Sequence, residues 1–525
     1  MKILIVDQVE QVCADILSHE GFEVHTKPTV PEGQLKNEIG AYDALIVRSA
    51  TQVTGSVIAE ATRLKVIGRA GAGVDNIDVD TATRRGIVVM NTPGGNTIST
   101  AEHTLSLLLS LSRNVPQAWD SLRAGKWERK KYVGTELHGK TIGIIGLGKV
   151  GREVATRCQA FGMKVIGFDP VLSNEIAVKI GTELVSLNEI YRQSDFISVH
   201  TPLSEETKWL IGESALTKCK DGVRIINCAR GGIVDESALL KALESGKVAG
   251  AALDVFEQEP PGDHPLLKHP RVIATPHLGA STEEAQEKVA RQIAIQVADL
   301  LKERGIAGAV NGDVIQLALK KEIKPFVLLA EKLGSLQAQL LEENLKRVTV
   351  TCSGAFLSSS IELIAAAVLK GVFSRLMSEP VNLINAPLIA KESGVVVSAQ
   401  WQSEHATYAH LISVSFDTSG EQRTLSGTVF GNSHLRIVEV DGFPLEINPE
   451  GYLLFYNNID KPGMLANVGA MLANAGINIA GLALGRDKPG QLALTIINVD
   501  TPIPERILKE MRKIEGVRKV RFVKV

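Results

Sequence analysis

The chain has 525 residues, with 57 Lys and Arg against 59 Asp and Glu for a formal charge of −2. At about 150 residues per domain this length predicts three or four domains rather than one core, and the balanced charge excludes a nucleic-acid protein held by bulk positive charge. With 44% hydrophobic and 22% charged residues, large-scale disorder is excluded too.

The first apolar run, Ile3 to Val6, ends at Asp7. It is too short for the core of a signal peptide and reads as a strand. A helical stretch from Cys13 to His19 stops at Gly21, and apolar runs recur at Ala44–Val47, Lys65–Ile67 and Ile87–Met90. Short β-branched runs separated by helices are what a parallel sheet covered on both faces requires, so the class is α/β. From Thr100 to Arg123 the spacing becomes helical, with Gly125 as the stop. No run reaches 18 apolar residues, so no membrane span is expected. The five cysteines, Cys13, Cys158, Cys219, Cys228 and Cys352, never stand in a CxxC spacing. Neither a disulfide framework nor a metal site is indicated, and a reducing, cytoplasmic location is expected.

A second α/β run starts at Thr141 with the strand Thr-Ile-Gly-Ile-Ile, followed by Gly146-Leu-Gly148-Lys-Val-Gly151, a helix to about Phe161, and a strand from Lys164 to Phe168 ahead of Asp169. The motif is specific in this context. Gly146 permits the tight turn, Gly148 lets the backbone approach a pyrophosphate, and Gly151 lets helix and strand pack closely, while the helix N-terminus supplies N–H groups to phosphates. Asp169, 23 positions after Gly146, accepts hydrogen bonds from ribose hydroxyls and repels a 2′-phosphate, which favours NAD over NADP.

Three later strands each end in polar residues, bringing Arg230, Glu259 and His277 to the edge where ligands sit in an open parallel sheet. Singly, each also reads as a surface or turn residue. Together they suit hydride transfer from an alcohol: Arg230 holds a carboxylate bidentately, His277 takes the hydroxyl proton, and Glu259 fixes the imidazole tautomer and favours its charged form. Ser281-Thr-Glu-Glu284 then predicts a capping box before a long helix ending near Gly305. If this helix and the one near 100–123 bridge two lobes, the first lobe is completed by a later segment and the cleft lies between them.

Beyond Asn311 the chain predicts apolar helices at Phe326–Leu341 and Ile361–Leu369, with strands at Arg347–Cys352 and Ala409–Phe416. The last 75 or so residues read βαββαβ, the ferredoxin-like order, with strands at 452–456, 477–484, 491–498 and 518–524 and helices at 463–474 and 503–513.

The segments Gly146 to Gly151, Asn227-Cys-Ala-Arg230-Gly-Gly and Pro276-His277-Leu-Gly-Ala resemble the NAD-dependent D-2-hydroxyacid dehydrogenases, and the C-terminal extension is similar to that of their long members. The resemblance implies two Rossmann-like or flavodoxin-like lobes with a cleft: a substrate-binding domain at 1–98 completed by 281–310, and an NAD-binding domain at 99–280. An α+β intervening domain at 311–448, similar to allosteric substrate-binding domains, and an ACT module at 449–525 follow. It makes Arg230, Glu259 and His277 catalytic, and gives cofactor contacts to Gly146, Gly148, Lys149, Val150, Gly151, Asp169, Thr201, Cys228, Ala229, Arg230, Asp254, His277, Gly279 and Ala280. Substrate contacts fall on Arg48, Ser49, Arg69, Ala72, Gly73, Arg230 and His277, with the basic run Arg129-Lys-Lys131 as a further candidate.

The implied reaction is oxidation of 3-phospho-D-glycerate to 3-phosphohydroxypyruvate in serine biosynthesis, by a homo-oligomer, a tetramer by resemblance. Serine is the implied effector, at Asn458, Asp460 and Asn478, where Asn458 departs from the aromatic or imidazole group that related modules often present. Two alternatives stay open: a glyoxylate or hydroxypyruvate reductase of the same family, and an NAD-sensing protein similar to corepressors that use this fold.

Overall fold

Continuous β-branched runs fold into two parallel sheets whose strands are buried on both faces. In the computed structural model, which describes residues 1–312, 320–377, 380–431 and 433–525, the first sheet holds β1 (Lys2–Ile5), β2 (Glu23–Thr26), β3 (Ala44–Val47), β4 (Val66–Arg69) and β5 (Val88–Met90). Their order is β2-β1-β3-β4-β5, all parallel. Strand β2 has no counterpart in the sequence expectation: Glu-Val-His-Thr carries no apolar run, because it lies at the sheet edge and none of it is fully buried.

The second sheet holds β6 (Thr141–Ile145), β7 (Lys164–Phe168), β8 (Glu183–Leu184), β9 (Phe196–Val199), β10 (Val223–Asn227), β11 (Val248–Leu253) and β12 (Val272–Ala274), in the order β12-β11-β10-β9-β6-β7-β8. Strand order reverses between β6 and β9. That switch point is the crevice where ligands bind in open parallel sheets.

Two segments cross between the sheets. The helix expected over 100–123 is two helices, Thr97–Arg113 and Val115–Arg123, broken at Asn114 with φ 52°, a left-handed conformation that Asn tolerates. The return helix is Glu283–Leu301, and its N-cap is Thr282, which accepts from the Ala285 N–H at 3.2 Å. The expected capping box at Ser281 does not form: the cap lies one residue later, so Glu284 loses the position from which it would bond back. The helix also ends at Leu301, short of Gly305. Its Val289, Ile293 and Val297 pack against Ile3, Val66 and Met90 of the first sheet, and Asn311 accepts from the Val89 N–H at 2.8 Å. At the crossing itself, the Ser99 and Thr282 hydroxyls lie 2.8 Å apart.

The third sheet is mixed, comprising β13 (Arg347–Ser353), β14 (Val396–Gln402), β15 (Leu411–Asp417), β16 (Gln422–Phe430), β17 (His434–Val440) and β18 (Phe443–Ile447), in the order β14-β13-β15-β16-β17-β18. Only the β13–β14 pairing is parallel. Helices Lys324–Gln339 and Ile361–Leu376 cover it. The segment Ala355–Leu376 is long and apolar enough to cross a membrane by length and mean hydropathy, although it contains no unbroken run of 18 apolar residues; 67% of its most apolar 18-residue window is buried in this core. The fourth sheet, β19 (Tyr452–Ile459), β20 (Ile479–Arg486), β21 (Leu492–Val499) and β22 (Val517–Lys524), is antiparallel in the order β20-β21-β19-β22. Helices Met464–Asn474 and Glu505–Met511 cover one face, which is the ferredoxin-like arrangement.

Candidate active site

The glycine loop sits between β6 and the helix Lys149–Ala160. Each of its glycines has a different constraint. Gly146 has φ 92°, and a Cβ there would meet the His200 carbonyl oxygen at 2.7 Å; a Cβ on Gly151 would meet the Gly146 carbonyl oxygen at 2.0 Å. At Gly148 a Cβ would meet no protein atom within 4 Å. Nothing inside the chain demands glycine there, which is what a position kept bare for close approach of a pyrophosphate looks like. Asp169 follows β7 and accepts from the Leu147 N–H at 2.8 Å on one oxygen, and from the Val171 and Leu172 N–H groups at 2.9 and 3.0 Å on the other. The carboxylate is thus oriented by the loop and keeps lone pairs for ribose hydroxyls.

A cavity of about 250 Å³ lies beyond the loop, lined among others by Val150, Thr201, Cys228, Ala229, Gly279 and Ala280. The Thr201 hydroxyl is buried there without a hydrogen-bond partner, a group that a bound dinucleotide would satisfy. With Gly148 and Asp169 it makes the residues present fit NAD. Burial pushes the Cys228 thiol up to about 12 and His200 down to about 4, so both are uncharged walls at neutral pH. Lys149 reaches across to the first lobe, its Nζ donating to the Pro93 carbonyl at 3.2 Å.

Arg230, Asp254 and His277 line the same cavity. His277 Nδ1 is 2.7 Å from Glu259 Oε2, which leaves Nε2 for a substrate. Burial would raise the Glu259 carboxyl, but the hydrogen bond and charge of His277 outweigh it and hold the group below its ordinary value. His277 has φ 55°, unusual for a residue with a Cβ. Asp254 supports it: the Asp254 carbonyl accepts from the His277 N–H at 2.9 Å, Oδ1 from the Leu278 N–H at 2.7 Å and Oδ2 from the Gly279 N–H at 2.8 Å.

From the first lobe come Arg48, Arg69, Ala72 and Gly73, whereas among the described residues no contact ties Ser49 to the cleft. Arg69 is pushed down to about 10 by burial and then by the neighbouring cations Arg230 and Arg48; it stays charged at neutral pH, with its Nε buried and unpartnered. Arg48 donates to the Gln8 carbonyl at 2.9 Å, and Ser49 is exposed. The loop after β4 wraps the Arg230 guanidinium, and Arg230 Nε lies 3.0 Å from Asp75 Oδ2 across the cleft. Asp75, Asn96, Thr100 and His103 also belong to the site and carry no motif of their own. Polar residues fill most positions from Asn96 to Thr104, so no spacing in the sequence singles out three of them.

Two groups of candidates are not drawn into the cleft. Arg129, Lys130 and Lys131 stand on an exposed turn, with Lys131 3.6 Å from Glu128, and none lines the cavity. In the fourth sheet Asn458 is buried and donates to the Ile459 carbonyl at 2.8 Å, Asp460 is paired with Arg486 at 3.1 Å, and Asn478 is 2.7 Å from Asp500. The ladder sets Asp460 and Asn478 at opposite ends of the sheet, so within one chain they do not form one site.

A glycine-loop crevice on one lobe faces arginines on the other, and residues 105–279 match the model of the D-isomer specific 2-hydroxyacid dehydrogenase, NAD binding domain. Among solved structures the chain is similar to a glyoxylate reductase from Paecilomyes thermophila (34% identity, TM-score 0.55, 59% of this chain and 98% of that one). It is also similar to a D-lactate dehydrogenase from Aquifex aeolicus complexed with NAD and lactic acid (30%, 0.52, 57% and 96%).

The remaining segments decide the branch. Residues 322–441 match the D-3-phosphoglycerate dehydrogenase intervening domain and residues 452–516 the ACT domain. The chain is 43% identical to D-3-phosphoglycerate dehydrogenase of Archaeoglobus fulgidus over 100% of both chains, and 42% identical to that of Bacillus subtilis over 99% of both. It belongs to the D-3-phosphoglycerate dehydrogenase family.

Proposed function

We propose that this chain oxidises 3-phospho-D-glycerate to 3-phosphohydroxypyruvate, with NAD, as the first step of phosphorylated serine biosynthesis. The 2.7 Å contact of His277 with Glu259, beside Arg230, carries the reading. Arg230 anchors the substrate carboxylate once it exchanges Asp75 for it, and Arg48 and Arg69 supply charge for the phosphate. His277 Nε2 takes the C2 hydroxyl proton while Glu259 stabilises the imidazolium. Bound NAD supplies the hydride acceptor. Residues 146–151, Asp169 and Thr201 hold its phosphate and ribose groups.

The domain reading is a substrate lobe at 1–98 with 281–310, an NAD lobe at 99–280, an intervening unit at 311–448 and an ACT module at 449–525. The return of helix Glu283–Leu301 to the first sheet and the separate third and fourth sheets support it. Serine is the effector we propose, bound where Asp460 of one module meets Asn478 of another in a homo-oligomer, a tetramer. The opposite-end placement of the two residues favours a paired site over one inside a single chain. Five buried reduced thiols suit the cytoplasm.

The test is NADH formation with 3-phosphoglycerate under product trapping, against glycerate, each with and without serine. Activity on the phosphorylated substrate alone is expected, reduced by serine. The His277→Ala variant should lose on the order of 10² to 10⁴ in rate while still binding NADH. Turnover of glycerate alone would move the assignment to a reductase.

A further inference from the structure

Asp254 is almost fully buried (1% exposed), and its carboxylate has four donors. The Leu278 and Gly279 N–H groups fix the chain beyond His277. The other two are side chains, both on Oδ1: Thr275 Oγ1 at 2.6 Å and His103 Nε2 at 3.1 Å. His103 Nε2 is also 3.1 Å from Thr275 Oγ1, which closes a triangle of His103, Thr275 and Asp254. Burial would raise the Asp254 carboxyl, but the bonds from His103, Thr275 and Leu278 outweigh it and hold it below its ordinary value.

His103 comes from the helix Thr97–Arg113, which crosses between the lobes. One turn earlier the same face presents Thr100, whose hydroxyl donates to the Gly279 carbonyl at 3.0 Å. At the start of the helix Ser99 meets Thr282 at the second crossing, 2.8 Å away. A single helix therefore touches the Thr282 crossing, the 277–280 loop and the carboxylate that clamps this loop.

We propose that His103 is a positioning residue for the acid–base histidine: by donating Nε2–H to Asp254 it orients the carboxylate that holds His277 in its left-handed conformation, and it ties that geometry to the lobe-bridging helix. His103 does not itself take part in proton transfer. The proposal rests on His277 being the acid–base group. It deepens that reading, because a group that must meet a hydroxyl within hydrogen-bond reach is sensitive to small displacements; a misplacement of about 1 Å can cost on the order of 10² in rate.

The test compares kcat, KM and NADH affinity of the full-length wild type with those of His103→Leu, which removes the donor and keeps the volume, and His103→Gln, which restores an N–H. For H103L kcat should fall about tenfold or more, with KM for the hydroxy acid and the NADH Kd within about threefold of wild type; H103Q should recover most of the loss. Should H103L fail to fold, Thr275→Val removes the other side-chain donor to the same oxygen and must reproduce the kcat loss. An unchanged kcat in the donor-lacking variant, a loss of NADH affinity that matches the loss of rate, or an H103Q no better than H103L would each overturn the proposal. A wild type that turns over no 2-hydroxy acid would instead count against the functional reading, so the two failures are distinguishable.

Discussion

At the scale of single residues, the site is built from charges that are each held by something buried. Asp254 is the clearest case. Its folded pKa lies below its unfolded value of about 3.9, so the stability its charge contributes is fully present above that unfolded value and is lost as pH falls through the folded one. Replacing it by Asn at neutral pH turns one acceptor oxygen into an NH₂ facing N–H or O–H donors, at a cost of about 1 to 3 kcal/mol for each group left unpaired. The expected result is that Asp254→Asn unfolds at lower denaturant than wild type at pH 7, and that the gap narrows below about pH 4, first as the unfolded wild-type chain takes up the proton and then, at lower pH, as the folded carboxylate does. Denaturant midpoints at pH 7 and pH 3 measure this, and a gap of equal size at both would assign the effect to shape rather than charge.

At the scale of elements, the glycine loop makes a sharper distinction than its motif does. Gly151→Ala forces a Cβ to within 2.0 Å of the Gly146 carbonyl oxygen. The helix must then lift off β6, and overpacking of this kind costs about 1 to 3 kcal/mol. Gly148→Ala meets open space, so it should keep the wild-type Tm and lose NADH affinity alone. Thermal unfolding alongside a fluorescence titration with NADH separates the two, and an unimpaired NADH affinity in G148A would remove the case for cofactor approach at that position. This loop was legible in the sequence because strand, turn, helix and Asp169 lie within one short stretch and encode one another locally. His103 and Asp75 were not legible: their partners Asp254 and Arg230 are 151 and 155 residues away, and only folding of the two lobes gives either residue a meaning. The cap at Thr282 was off by one for a related reason, since the helix start follows the packing of Val289 and Ile293 on the first sheet and two neighbouring hydroxyl residues serve equally as a local signal.

At the scale of the whole molecule, apolar packing decides which parts can be separated. The face of the fourth sheet that its own helices leave uncovered carries Leu453, Phe455, Leu494, Ile496 and Val523, and these belong to one core with Leu329, Val350 and Ile437 of the third unit. A chain ending at residue 448 would expose that core. Loss of a single buried leucine costs about 2 to 5 kcal/mol, so losing a whole apolar face is comparable with the total stability of about 5 to 15 kcal/mol that a domain possesses. The first two lobes meet the rest differently. Asn382 and Asn385 donate to the Gly86 and Arg84 carbonyls at 2.8 and 3.1 Å, and Ile384 plugs the core of the first lobe. Among the described residues, polar contacts and one apolar anchor make a seam that water can replace at modest cost. Asn311 already closes the first lobe through its bond to the Val89 N–H. A chain ending at residue 312 should therefore stay monodisperse and bind NADH close to wild-type affinity, whereas one ending at 448 should aggregate or melt well below wild type. Size-exclusion chromatography and calorimetry of the two would check this, and a well-behaved 1–448 would show that the ACT sheet is not required to complete the neighbouring core.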